Sequence, residues 1–144
     1  MTSKENNYSF SHAPCLSPFK LSLSHHLLTW NGIFGFVGLH TPNANMPCAP
    51  CVEIGWRLLP QYWGNGFATE GAHKALEFAF TELALPEVVS FTAKTNQPSR
   101  AVMQRIGMHN SLNNFMHPDI PPSNPLAEHV LYQLTRNAWF DQSR

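Results

Sequence analysis

The feature that most constrains this chain is the stretch Gln61-Tyr62-Trp63-Gly64-Asn65-Gly66-Phe67-Ala68. It separates a strand-like run over residues 52–59, stopped by Pro60, from an amphipathic run over residues 67–83. A strand, a turn with two glycines and a helix mouth, in that order, bring several backbone N–H groups to one point. The first N–H groups of a helix have no partner inside it, and the helix dipole favours negative charge there. Gly64 and Gly66 lack a Cβ, so a positive φ is open to them and an anion can approach the backbone closely. A phosphate, and best a pyrophosphate, suits such a mouth. The plainer reading of the same residues is a tight strand-to-helix connection.

Around this stretch the chain reads as one domain. Residues 1–20 are rich in Ser, Asn and Pro without periodicity and are expected to be irregular, with the domain over residues 21–144. Leu21, Leu23, Leu27, Leu28 and Trp30 predict a first strand, and Asn31-Gly32 a hairpin turn. Residues 33–40 (IFGFVGLH) predict a buried strand in which Gly35 and Gly38 mark close packing or a bulge. Residues 41–50, rich in Pro and Asn, form a loop. The third strand, over residues 52–59, has Gly55 as a candidate bulge. The helix over residues 67–83 puts Ala68, Ala72, Ala75, Leu76, Ala79, Phe80 and Leu83 on one face.

Pro86 breaks that helix, and residues 88–93 form the next strand. Asn96 is the expected N-cap of a second helix, accepting from the Ser99 N–H, and Gly107 suits its end. Residues 110–125 read as a long loop and residues 128–135 (EHVLYQLT) as an alternating closing strand. The order β-β-β-α-β-α-β predicts an α/β (α+β) domain, a mixed sheet with helices packed on it.

Gln-x-x-Gly-x-Gly after a strand containing Glu53-Ile54-Gly55-Trp56, followed by an Ala-rich helix, resembles the acetyl-CoA-binding motif of the GCN5-related N-acetyltransferase (GNAT) superfamily. The run from Asn96 to Met108 (NQPSRAVMQRIGM) is similar to the next helix of its ribosomal-protein N-acetyltransferase branch, the RimJ/RimL type. The resemblance spans residues 33–139. It implies a mostly antiparallel GNAT sheet, acetyl-CoA as co-substrate with no metal, and acetyl transfer to a primary amine, either a protein N-terminus or a small amine. It also implies that Trp56, Arg57, Leu58, Trp63, Gly64, Asn65, Gly66, Phe67, Ala68 and Asn96 contact the cofactor.

Glu53 lies where the family often carries the general base; the alternative is an outward-facing glutamate on a half-exposed strand. Many relatives use a tyrosine as acid, absent here, and Ser99 stands where the ribosomal-protein branch has a serine that could protonate the departing thiolate. Its alternative is a first-turn serine that only assists capping. A bulge at Gly55 would aim a free strand N–H at the thioester oxygen. Complete members begin with a strand and two helices that wall the acceptor site. Here the residues before the first strand are irregular, so these elements are expected to be lacking. Uncovered surface then predicts a homodimer or a strand exchange. The competing function is a truncated domain that binds CoA, does not catalyse and acts through self-association.

Nine Lys and Arg balance nine Asp and Glu, which leaves no basic surface for nucleic acid. Residues 1–12 hold no apolar leader core, and residues 21–39 are broken by His25, His26, Asn31 and Gly32, so no membrane segment is expected. Three cysteines, an odd number, do not make a disulfide framework, and a cytoplasmic protein is expected. Cys48-Ala49-Pro50-Cys51 with His40 and Cys15 lacks the second paired motif usual for structural zinc. His73 is expected at the helix surface. Trp56, Tyr62, Trp63, Phe78, Phe80 and Phe91 are expected in the core, since no basic residues flank them as a base-stacking platform requires.

Overall fold

A computed structural model describes residues 22–29 and 32–142, with side chains from residue 34 onward. The expectations for residues 1–21, Trp30 and Asn31, and for the side chains of Leu23, His25, His26, Leu27 and Leu28, lie outside the described residues.

Seven strands form one sheet: β1 (Ser22–Thr29), β2 (Gly32–His40), β3 (Glu53–Leu58), β4 (Glu87–Ala93), β5 (His109–Asn110), β6 (Phe115–Met116) and β7 (Glu128–Thr135). The spatial order is β1-β2-β3-β4-β7-β5, with β6 also paired to β7. Every pairing is antiparallel except β3 with β4. Three α-helices and a 3₁₀ turn over Pro60–Tyr62 complete the described residues: α1 (Phe67–Thr81), α2 (Gln97–Arg105) and α3 (Arg136–Gln142). This is the expected mixed, mostly antiparallel α/β arrangement, with three short elements added to the expected order.

The added elements have local causes. The strands β5 and β6 have two residues each, too few for a periodic signal, and are held by β7, whose other edge pairs β4. The helix α3 starts directly off β7, where Thr135 Oγ1 accepts from the Ala138 N–H at 3.3 Å. Its Trp139 ring lies 5.6 Å from Phe80, and Arg136 Nε donates to the Phe80 carbonyl at 2.9 Å.

The predicted stripe of α1 is the buried one: Ala68, Ala72, Ala75, Leu76, Ala79 and Phe80. It packs over β2 and β3, against Val37, Leu39 and Ile54. Gly71 makes that approach possible, because a Cβ there would stand 2.9 Å from Val37 Cγ2. Each fully buried large apolar side chain in this core stabilises the fold by roughly 1.5–3 kcal/mol. The helix stops at Thr81 rather than at Leu83: Ala84 takes a left-handed φ of 49°, and the Leu83 and Leu85 N–H groups bond back to Phe78 and Ala79. Leu83 still packs on the core from beyond the helix end.

Gly35 is a point of close approach, as expected; a Cβ there would lie 2.4 Å from the Arg57 carbonyl oxygen. Gly55 is not a bulge. The β2–β3 register runs without a shift from Gly35↔Leu58 to His40↔Glu53, with Gly38 opposite Gly55. The aromatic expectation holds for Phe80, which is buried, while Trp56, Tyr62, Phe78 and Phe91 are half-buried. Trp63 departs from it, being 58% exposed.

Candidate active site

The site begins where β3 and β4 part. These neighbours share one parallel bridge, Glu53↔Val89, with the Val89 N–H bonded to the Val52 carbonyl at 2.9 Å. One residue on, buried Ser90 donates its Oγ–H to the Ile54 carbonyl at 2.8 Å, filling the position a strand N–H would take. Beyond that plug the strands diverge. Backbone groups alternate sides along an antiparallel ladder. The Leu59 N–H bonds Phe34, so Leu59, Arg57, Gly55 and Glu53 turn toward β2 and Trp56 and Leu58 turn toward the gap. The same parity on β4, set by the Lys94 N–H bonding Glu128, turns Phe91 toward the gap from the other side.

The gap opens into a cleft of ≈ 580 Å³. From β3 it is lined by Glu53, Gly55, Trp56, Arg57 and Leu58, from β4 by Ser90, Phe91 and Thr92, and from α2 by Pro98, Ser99, Val102 and Arg105. Trp63, Gly64 and Ala68 close its outer end. A second depression of ≈ 640 Å³ continues from there over the first turns of α1, sharing Leu58, Gly64, Ala68, Val102 and Arg105 and adding Gly66, Phe67 and Lys74. Asn65 lies outside both linings.

Gly64 and Gly66 both hold positive φ, 75° and 80°. Gly66 is the N-cap of α1 and its carbonyl takes the first helical bond, from Glu70, at 2.9 Å. The N–H groups of Phe67, Ala68 and Thr69 therefore precede the ladder and take no bond within the helix. Trp63 differs: its N–H goes to the Pro60 carbonyl at 3.1 Å, closing a 3₁₀ turn over Pro60–Tyr62. Its indole Nε1 donates to the Leu58 carbonyl at 2.9 Å, so the exposed ring forms a side wall. Arg57 and Arg105 supply positive charge at the rims, Lys74 is paired with Glu77 at 3.1 Å, and Glu70 opposes them from the first turn of α1.

Across the cleft Asn96 caps α2 as expected, accepting from the Ser99 N–H at 3.3 Å. Its Nδ2 donates to Thr92 Oγ1 at 3.0 Å, which fixes the amide at the lip of the fork. The cap thus uses the Ser99 backbone N–H, and Ser99 is among the residues that line the cleft.

Glu53 is not an outward-facing strand glutamate; it is 7% exposed. It stands opposite His40 in the β2–β3 register, and such partners have neighbouring side chains on one face. His40 Nε2 lies 2.9 Å from Glu53 Oε2. That hydrogen bond and the carboxylate's charge raise the imidazole's pKa above its ordinary value, against the opposing effect of partial burial. Glu53 also borders a shallower depression of ≈ 250 Å³ with His40, Asn43, Met46, Phe91, His117 and Asp119. Glu53 and Phe91 line both this depression and the main cleft. Sequence reasoning missed His40 as a site residue, because the long loop after it hides the register that sets it opposite Glu53.

Among the described residues no group of His, Cys, Asp and Glu could hold a metal ion. Cys51 donates a hydrogen bond to Cys48, Sγ to Sγ 3.0 Å, and burial with that bond pushes the Cys51 thiol well above its usual range. No described helix is long and apolar enough to cross a membrane.

A left-handed diglycine mouth, a forked pair of parallel strands and a capped helix across the fork are accompanied by a sequence match. Residues 18–109 match the family described as "Acetyltransferase (GNAT) domain". The chain belongs to the GNAT acetyltransferase family. GNAT acetyltransferases use acetyl-CoA. Among curated relatives, FsC-acetyl coenzyme A-N(2)-transacetylase of Aspergillus fumigatus is 40% identical over 87 residues, 60% of this chain and 37% of that protein. The uncharacterised N-acetyltransferase YnaD of Bacillus subtilis is 33% identical over 87 residues, 60% of this chain and 50% of that protein. A GNAT-family acetyltransferase structure from Bacillus anthracis superposes with a TM-score of 0.62 at 28% identity, covering 78% of this chain and 64% of that one. The chain thus matches half or less of the length of these two curated relatives.

Proposed function

We propose that this GNAT domain transfers the acetyl group of acetyl-CoA to a primary amine by direct attack on the thioester. The observation that carries the reading is the fork: two diverging strand edges, with the Trp56 N–H turned into the gap, lead from the diglycine mouth to a buried carboxylate. In this reading the N–H groups of residues 64 and 66–69 hold the diphosphate. Trp56 to Leu58 and Asn96 line the pantetheine arm.

An α-amine has a pKa of about 8 and a lysine-like amine about 10.4, so the acceptor must lose a proton first. Glu53 takes it. The free nitrogen pair forms the C–N bond and the carbonyl electrons become an oxyanion; the nitrogen, now cationic, gives its second proton to water, and the C–S bond breaks as the electrons return. The Trp56 N–H, released by the fork, is the donor for that oxyanion, in the role a Gly55 bulge was expected to play. The departing thiolate takes a proton from Ser99 Oγ, which recovers one from water. The acceptor enters from the depression with His40, Phe91 and Asp119. The 40% identical Aspergillus relative, named for acetyl transfer to an N(2) nitrogen, supports a small amine as readily as a protein N-terminus, the substrate of the ribosomal-protein branch.

A second copy is proposed to pack over Phe36, four residues before His40 on β2, leaving His40 and the depression beside it open. Phe36, 42% exposed, supports this; a monomer in sedimentation equilibrium at micromolar concentrations would remove the dimer from the account.

The main test pairs calorimetric titration of acetyl-CoA with thiol release across a panel of primary amines, wild type beside Gly64→Glu. Wild type is expected to bind and turn over. The variant places a carboxylate in the mouth at φ 75°, costing about 1–2 kcal/mol in conformation alone. Its Kd is expected to rise about 100-fold, which is about 2.7 kcal/mol. Unchanged affinity sinks the phosphate-binding assignment. Binding without turnover on any amine favours the non-catalytic, self-associating reading instead.

A further inference from the structure

We infer that His40 is the outlet for the acceptor's proton: it holds Glu53 across the β2–β3 ladder and passes the proton from that carboxylate to water. This rests on the reading of Glu53 as base. Glu53 lines both the cleft and the smaller depression. Acetyl-CoA would fill the first and the amine the second, leaving the carboxylate without water at the moment it is protonated. The ring of His40 offers the proton a path out. Its Nε2 is 2.9 Å from Glu53 Oε2, with side-chain exposures of 47% for His40 and 10% for Glu53. One end of the imidazole thus touches a buried base while the rest reaches solvent.

The proton balance closes. The ammonium's N–H bond breaks and a Glu53 O–H bond forms; with the carboxylate neutralised, the His40 tautomer that held it through Nε2–H exchanges through water to Nδ1–H, and the acid passes its proton to the freed Nε2. The imidazolium then loses its Nδ1 proton to water, which leaves Nε2–H donating to the carboxylate as at the start. The net result is one amine and one hydrated proton. Imidazolium cannot accept, so turnover rises with pH as His40 deprotonates, above its ordinary value of 6.5. Among the described residues, the other titratable groups around the pair include His117 and Asp119, which share the depression, and Cys51, which precedes β3.

The test follows amine-dependent product formation against pH for wild type, His40→Ala, His40→Gln and Glu53→Gln, with and without added imidazole. His40→Ala is expected to lose about tenfold to a hundredfold in kcat, keep its acetyl-CoA affinity and regain rate as imidazole is added. His40→Gln can donate a hydrogen bond to Glu53 but cannot relay; it is expected to fold like wild type, remain slow and lose the acid limb. Should His40→Ala misfold, His40→Gln carries the test by itself. Wild-type turnover in His40→Gln, or a slow His40→Ala that imidazole does not help and whose acid limb is unmoved, overturns the relay. Full activity in Glu53→Gln overturns the reading of the base beneath it, an outcome distinct from a failed relay alone.

Discussion

The cofactor cleft and the acceptor-side depression meet at Glu53 but are built from different materials. The cleft's outer end is backbone: left-handed glycines, helix-mouth N–H groups and two strand edges freed by the Ser90 plug. The depression is side chains, brought by β2, the loop after it, β3, β4 and the segment after β6. A backbone site tolerates many side chains but few changes of φ. A side-chain site tolerates drift of its loops but not loss of the group that does the chemistry. Four substitutions sharpen or break that contrast beyond the Gly64→Glu test.

The largest effect belongs to Glu53→Gln, which keeps shape and removes the base. It is expected to lower kcat about 10²–10⁴-fold while acetyl-CoA affinity stays put. A parallel loss of affinity by calorimetry would show that the two regions are not separable. Next is Gly35→Ala, where the new Cβ meets the Arg57 backbone carbonyl at 2.4 Å. Overpacking against backbone should cost about 1–3 kcal/mol, read as a lower denaturation midpoint. Since β3 carries both regions, binding and turnover should fall together under partly denaturing conditions.

Ser99→Ala is expected to reduce kcat by no more than about tenfold, because a CoA thiolate is a good leaving group. A loss of helix stability instead of rate, followed by circular dichroism, would assign the hydroxyl to the fold. The smallest effect is the His40 contribution to stability. Its folded pKa is raised, so that contribution is complete below the ordinary value of 6.5 and is lost as pH rises through the raised value. Half-exposed pairs are screened, so the difference between wild type and His40→Gln should stay under about 1 kcal/mol. Urea midpoints at acidic and alkaline pH should show the gap in acid only; a gap that widens in alkali refutes the pairing.

Much of this was legible without coordinates because it is coded over short spans. The strand–turn–helix order, the glycine positions, the α1 stripe and the Asn96 cap each depend on residues within a turn or two of one another. Propensity and periodicity act at that range. Misreadings arose where a distant partner decides. Trp63 read as core, yet its indole is drawn outward by the Leu58 carbonyl and its N–H is consumed by Pro60. Gly55 read as a bulge, yet the free N–H groups come from the separation of two strands that lie 36 residues apart at the Ser90–Ile54 plug.

By itself, then, the sequence determined the diglycine helix mouth, the family and which helix face is buried, since local sterics and hydrophobic spacing suffice for these. The tertiary structure alone decided that Glu53 is buried, that His40 is its partner and that both adjoin a second depression. Strand register sets those contacts, and a register across a long loop is chosen by the packing of the whole sheet, not by the residues that it brings together.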